Sequence, residues 1–318
     1  MPTILGIDLG GTKLALAVFD LAGNLLSRNL INLDGRSGSE VGLLIKSQAK
    51  IFIQQYKEED PVSAIGISVP GIVSNLNTVW APNIPGWEDY PLLEEMKSIA
   101  STIPIIIESD RSCYILGEMW QGNARAVNNA IYLAVGTGIG AGICINGNIF
   151  QGAHGIAGSI GWMGFNASFN KEHSEKTGCL ESHASGNGIA RVTQQMIREN
   201  KNYNGPLGDK PPALVTAYDV FSAYEMNDEI ARKVIDMSIN YWGLAIANLV
   251  SFFDPEKIIL GGGIFGPAIK FIPQIKKSAA NWAQPVSFKH VTIEASLLGG
   301  DAGIYGAGFL ALNKFNCK

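Results

Sequence analysis

Ile4-Leu-Gly-Ile-Asp-Leu-Gly-Gly-Thr-Lys-Leu-Ala-Leu-Ala-Val-Phe-Asp20 decides how the remainder of the chain is read. Ile4 to Leu9 and Leu14 to Phe19 are apolar and rich in strand formers, and Gly10-Gly11 between them signals a hairpin. A glycine turn presents bare backbone N–H groups. With the Thr12 hydroxyl and the Lys13 cation beside them, Gly10 and Gly11 suit a phosphate. Asp8 ends the first strand next to that turn, placed to hold a metal ion or water beside the phosphate. An ordinary hairpin with a glycine turn explains the same residues, so this stretch alone leaves both readings open.

The opening recurs later in the chain. Ala130 to Val135 reads as a strand, Gly136-Thr137-Gly138-Ile139-Gly140 as a glycine turn, and Ala141 to Ile145 as a returning strand, with an Asn146-Gly147 hairpin beyond. Two such units about 125 residues apart imply two lobes on one plan, with facing turns able to grip one polyphosphate. Lys257 to Leu260 is a third signal: a buried strand running into Gly261-Gly262-Gly263 and then a helix expected from Pro267 to Ala283. Strand, glycines and helix form the layout of a nucleotide site at the carboxyl end of a strand.

Composition narrows the class. The chain has 318 residues, enough for two lobes, and is 47% hydrophobic and 16% charged. A net charge of −4 with no lysine–arginine cluster gives a nucleic-acid surface little support. No amino-terminal segment has the pattern of a secretory signal. The longest uncharged apolar stretch, Met237 to Phe253, is interrupted by Asn240 and Asn248 and reads as a buried helix rather than a membrane span. Cys113, Cys144, Cys179 and Cys317 are scattered, which fits a reducing cytoplasm better than a disulfide framework.

Between the two units, Asn24 to Asn32 reads as a third strand and Ser39 to Gln55 as a helix with Val41, Leu44, Ile45, Ile51 and Phe52 on one face. Ala64 to Val69 and Ile103 to Ile107 read as further strands. The loop from Thr78 to Asp89 carries two tryptophans and is expected to cover something. Helices are expected at Leu92 to Ala100, Cys113 to Gln121, Glu181 to Asn200, Ala213 to Tyr224, Asn227 to about Phe252 with Asn227 as cap, and Ala302 to Leu312. The irregular, glycine-rich run from Gly152 to Asn170 is long enough to be functional.

Taken together, the motifs resemble those of the ROK family of sugar kinases and repressors, within the sugar kinase, actin and heat-shock ATPase superfamily. The resemblance runs end to end. It rests on Gly6-Ile-Asp-Leu-Gly-Gly-Thr-Lys13, Val69-Pro-Gly71, Ala81-Pro-Asn-Ile-Pro-Gly-Trp87, Glu108-Ser-Asp110, Gly136-Thr-Gly-Ile-Gly140, Gly155-Ile-Ala-Gly158, Gly178-Cys-Leu-Glu181 and Ile259-Leu-Gly-Gly-Gly263. It implies two RNase-H-like α/β lobes with an interlobe cleft, one from residues 1–112 plus 301–318 and the other from residues 113–300. It also implies ATP, with Mg²⁺ held by Asp8 through water, and transfer of the γ-phosphate to a hydroxyl of a hexose or hexose derivative. Asp110 matches the family's catalytic base. Gly71, Asn83, Ser109, Asp110, Ser159, Trp162 and Glu181 fall at sugar-binding positions. Phosphoryl transfer asks for such a set: an in-line nucleophile, a carboxylate within reach of its proton, and donors around the charged oxygens.

Departures from the family pattern fall on the sugar. Ser109 stands where the family usually has Asn. In Gly155-Ile-Ala-Gly-Ser-Ile-Gly-Trp162, Ser159 replaces a Glu that contacts the sugar, and Trp162 replaces a His that touches the sugar and binds zinc. Trp162 either stacks on a pyranose face or only packs. His173-Ser-Glu-Lys-Thr-Gly-Cys179 keeps one of the family's three zinc-binding cysteines, so no structural zinc is expected from His173, Cys179 and His183. The second reading is a sugar-sensing or degenerate, non-catalytic protein on a kinase scaffold. The family's repressors carry a helix-turn-helix ahead of the first phosphate motif; that motif starts here at residue 4, so no DNA-binding domain and no nucleic-acid partner are expected. Similar kinases are commonly dimers, and a homodimer is expected.

Overall fold

A computed structural model describes residues 1–58, 60–74, 78–165 and 177–316. The first strands are β1 (Thr3–Leu9), β2 (Lys13–Asp20), β3 (Leu25–Asn32), β4 (Val62–Val69), β5 (Ile72–Val73), β6 (Val79–Trp80) and β7 (Ile105–Ser109). They are followed by β8 (Ala130–Val135), β9 (Ile139–Ile145), β10 (Asn148–Ile149), β11 (Lys257–Gly261) and β12 (Thr292–Ala295). One sheet has the order β3-β2-β1-β4-β7 and the other β10-β9-β8-β11-β12, while β5 and β6 form a separate ribbon. In each sheet two antiparallel pairings are followed by two parallel ones. The two units inferred from glycine spacing are thus the cores of two sheets with identical topology.

Alternation along β1 and β2 sets what lies on each face. Leu5, Ile7, Leu9, Leu14, Leu16 and Val18 join one core with Val41, Ile45 and Phe52 of the helix Gly38–Gln55. Ile4, Ala15, Ala17 and Phe19 face the other way, against Ile304 and Ala311 of the terminal helix Ala302–Asn316. Gly6 and Gly66 are register partners on that second face. A Cβ on Gly66 would lie 1.9 Å from the Ala307 carbonyl oxygen, and one on Gly6 2.8 Å from that of Ile304. Bare backbone is therefore what lets the terminal helix lie directly on the sheet. Asp8 continues the same face and reaches the start of that helix.

The helix Asp110–Gln121 packs on β8 and β9 and against the terminal helix, so these two helices form the joint between the sheets. Here too glycines permit contact: a Cβ on Gly306 would meet the Cys113 carbonyl at 1.9 Å, and one on Gly117 that of Ala302 at 2.3 Å. Around the second sheet pack the helices Cys179–Ala184, Gly186–Glu199, Ala217–Glu225 and Glu229–Phe253, with Trp242 fully buried.

Several boundaries differ from expectation for local reasons. The helix expected over Glu181 to Asn200 is two helices, because Ser185 is extended and its hydroxyl caps Gly188 N at 3.0 Å. The one expected from Ala213 begins at Ala217, where Thr216 and Asp219 form a capping box. Asp228, not Asn227, caps the long helix, since Asn227 adopts φ +64°. After Gly263 come 3₁₀ turns, and the α-helix spans only Ile272–Ala280. Pro273 sits in its first turn, where a missing N–H costs little; a helix running through it from Pro267 would lose a bond and clash. Trp87 does not cover a surface: it is fully buried, stacked on Tyr90 at 4.3 Å, with its indole N–H on the Gly38 carbonyl at 2.9 Å. Among the described residues no helix is long and apolar enough to cross a membrane.

Candidate functional site

Parallel pairing of β1, β4 and β7 brings their carboxyl ends to one edge, and with them Asp8, Ser68 and Ser109-Asp110. Asp8 is register partner of Ser68 and lies against Gly303 in the first turn of the terminal helix. A Cβ on Gly303 would meet Asp8 Oδ2 at 2.4 Å. Desolvation is the main reason the Asp8 carboxyl is raised from 3.8 to about 6. The Ser68 hydroxyl opposes the rise, and the charges of Asp110 and Asp301 add to it. Asp301 is itself engaged by Arg28 through contacts of 2.5 and 2.7 Å. Ser68 Oγ is buried with no partner at hydrogen-bond geometry, between Asp8 and the buried Cys113 thiol. Burial pushes that thiol well up, so Cys113 is inert.

Asp110 is the first residue of its helix, directly after β7. Its Oδ1 accepts from Arg111 N at 2.8 Å and from Ser109 Oγ at 3.4 Å, and Oδ2 from Tyr114 OH at 3.2 Å. Desolvation raises its carboxyl above the usual range despite the Arg111 charge and these donors, which pull the other way. Glu108, two residues earlier, accepts from Ser109 N at 2.8 Å and from the Gln151 amide.

The glycine turns differ in surroundings. Gly10 N donates to Lys13 O at 2.8 Å and closes the first turn, leaving Gly11, Thr12 and Lys13 exposed. Gly136 N donates to Gly138 O at 2.9 Å. The second turn is braced by the helix Gly186–Glu199, whose Gly186 N donates to Gly136 O at 2.8 Å. The third motif abuts the second: Gly262 has φ +89°, and a Cβ there would meet the Val135 carbonyl at 2.4 Å. Gly261 lies under the Tyr132 hydroxyl and Gly263 beside that of Tyr218. Gly136, Thr137, Gly138, Gly261, Gly262 and Gly263 are thus gathered at the carboxyl ends of β8 and β11.

The sugar-position residues divide. Glu181 Oε2 accepts from Ile139 N at 2.7 Å and is packed against Gly138 and Gly161, so it sits at the second turn. Ser159 Oγ donates to Ile156 O at 2.8 Å and accepts from Arg111 Nη1 at 2.9 Å. Gly71 touches the Trp80 carbonyl, and Gly155 comes over Ile72 and Val73, so the loop bearing Ser159 meets the β5–β6 ribbon. Asn83 is exposed and makes no hydrogen bond to a described residue. Trp162 is 57% exposed and is not a core residue. His173 lies outside the described residues. His183 Nδ1 lies 2.7 Å from Cys179 O, with its ring stacked on Tyr241.

Two residues escape sequence reasoning. Arg111 links Ser109 and Ser159, although its position directly after the candidate base was a usable signal. Glu118 is fully buried and accepts from Asn123 N, Leu298 N and the Ser296 hydroxyl, pinning the segment that runs from β12 to the terminal helix. No sequence pattern marks it.

The chain compares closely with known proteins. It is 33% identical to the glucokinase of Halalkalibacterium halodurans, over 98% of this chain and 95% of that one. Among solved structures it resembles a ROK family glucokinase from Streptomyces griseus in complex with glucose and AMPPNP. The TM-score is 0.76 and the identity 28%, covering 98% of this chain and 99% of that one. It also resembles a ROK family transcriptional regulator, a homologue of the E. coli MLC protein. Here the TM-score is 0.85 and the identity 25%, covering 99% of this chain and 78% of the regulator. These likenesses establish the actin-like two-lobe ATPase fold, and with the ROK family model matching residues 4–314, the chain belongs to the ROK family.

Proposed function

We propose that the protein is an ATP-dependent sugar kinase that transfers the γ-phosphate to a hydroxyl of a hexose or hexose derivative. The observation that carries this reading is the Asp110 carboxylate. It is desolvated yet held by three donors at the opening of the helix between the sheets, close enough to Asp8 to raise it electrostatically. A raised pKa makes Asp110 a stronger base for the sugar hydroxyl as that oxygen attacks. Gly10, Gly11, Thr12 and Lys13 would meet the phosphates from one lobe. Gly136, Thr137, Gly138, Gly261, Gly262 and Gly263 would meet the nucleotide from the other. We divide the lobes at residues 1–112 plus 301–318 and 113–300, in keeping with the terminal helix lying on the first sheet.

The residues present fit Mg²⁺. A desolvated carboxylate at Asp8, with charge from Asp110 and Asp301 around it, is a hard oxygen donor that a cation would relieve. When bound, Mg²⁺ would neutralise charge building on the phosphate oxygens.

The test is ATP-dependent phosphorylation across a panel of hexoses and hexose derivatives with Asp110→Asn as control. Turnover of one sugar that falls about 10²–10⁴-fold or more in the variant supports the kinase. The likeness to the MLC homologue, with Ser109, Ser159 and Trp162 altered, favours one second reading: a sugar sensor. A sugar that binds without being phosphorylated would replace the first reading by the second.

A further inference from the structure

We infer that Arg111 makes this site selective for a hexose derivative bearing an anionic group, a carboxylate foremost, over a neutral hexose; the inference rests on the proposed sugar site. Arg111 follows the candidate base and its guanidinium is held in place by two hydroxyls. Nε donates to Ser109 Oγ at 3.3 Å and Nη1 to Ser159 Oγ at 2.9 Å. Both hydroxyls send their own protons elsewhere, Ser109 to Asp110 and Ser159 to the Ile156 carbonyl. Their oxygens are therefore committed to Arg111 as acceptors, and the guanidinium is oriented rather than swinging.

Its stem lies close over the backbone of β9. Gly140 has no side chain where a Cβ would lie 2.9 Å from Arg111 Cδ, and Gly142 none where a Cβ would strike the Arg111 carbonyl at 1.9 Å. Guanidinium carries five N–H donors, and two are used. Among the described residues no carboxylate lies within 4 Å of its nitrogens, and Asp110 feels its charge only from beyond that distance. A part-buried, oriented cation with open donors and no carboxylate in contact with it pairs best with a planar anion.

Ser109 and Ser159 are two of the three positions, with Trp162, where this chain departs from residues expected to contact the sugar. The guanidinium spans them. A side of the pocket expected to accept hydrogen bonds through a carboxylate instead donates them from a cation. A phosphate oxygen of the nucleotide is the other source of anionic charge, and the test separates the two.

Binding of D-glucose, D-gluconate and D-glucuronate is measured by calorimetry without nucleotide, and binding of AMPPNP without sugar. At least one acid should bind about tenfold or more tighter than glucose, the size of one charge-assisted hydrogen bond. Arg111→Met should abolish the preference and Arg111→Lys keep part of it, with AMPPNP affinity unchanged within about threefold. Matching melting curves establish that the variants fold; should Arg111→Met not fold, Arg111→Lys is read for a reduced preference. Glucose bound as tightly as both acids, a preference unaltered in both variants, or weakened AMPPNP binding with the sugar ratio intact overturns the inference. Phosphoryl transfer is assayed separately. An acid that binds without being phosphorylated refutes only the kinase reading, and a neutral hexose turned over with no preference refutes only this one.

Discussion

Asp8→Asn should make the protein more stable while removing the proposed kinase activity, and the gain should depend on pH. Burial and the charges of Asp110 and Asp301 raise the Asp8 carboxyl from 3.8 to about 6 in the folded protein. Between those values the folded state binds a proton that the unfolded state has released, so stability falls as pH rises through the window. Above pH 6 the full penalty applies, about 3 kcal/mol for a shift of this size. Near pH 4 it shrinks to less than about 1 kcal/mol. Asparagine keeps the shape and a polar partner for Ser68 but carries no charge. Thermal unfolding followed by circular dichroism, without divalent cations or nucleotide, should show the variant melting about 5 °C above the parent at pH 8. At pH 4 the two curves should nearly coincide. Equal melting points at both values, or a variant less stable at pH 8, would refute the electrostatic argument. Asp110 is raised in the same direction, so Asp110→Asn should show the same sign of pH dependence.

Other substitutions test the joint and the scaffold. Glu118→Ala strands Asn123 N, Leu298 N and the Ser296 hydroxyl in a buried setting and should cost about 3–5 kcal/mol, read by urea denaturation. Gly66→Ala drives a methyl into the Ala307 carbonyl, where backbone cannot yield. A loss of about 1–3 kcal/mol or more is expected, and a neutral result would mean the terminal helix can lift off the sheet. Thr216→Ala removes the cap of Ala217–Glu225 and should cost about 1 kcal/mol, with hydrogen exchange faster at Asp219 N than in the parent.

Repeated local pattern made the fold readable. Strand, glycine turn and strand is a short-range signal written twice, at Gly10-Gly11 and at Gly136 to Gly140, and each copy proved to be the core of a five-stranded sheet. The strands Ile4 to Leu9 and Leu14 to Phe19 were legible as runs of strand formers, and the two faces that Leu5, Ile7 and Leu9 share against Ile4 then follow from backbone geometry. Helix starts were less so. Thr216 and Asp228 win as caps over their neighbours through side-chain hydrogen bonds whose geometry depends on how the chain enters the helix.

The family and the two-lobe plan were legible in the sequence, and Asp8 and Asp110 stood out there as candidates, since each rests on short motifs that can be read locally. Tertiary structure alone decided what surrounds them. Ser159 is 48 residues from Arg111, and Glu118 is 178 residues from Ser296; no periodicity couples positions so far apart. Only when the terminal helix settles on Gly6 and Gly66 does Gly303 come against Asp8. The charge state of the site follows from that packing, because desolvation is a property of the assembled neighbourhood and not of the residue.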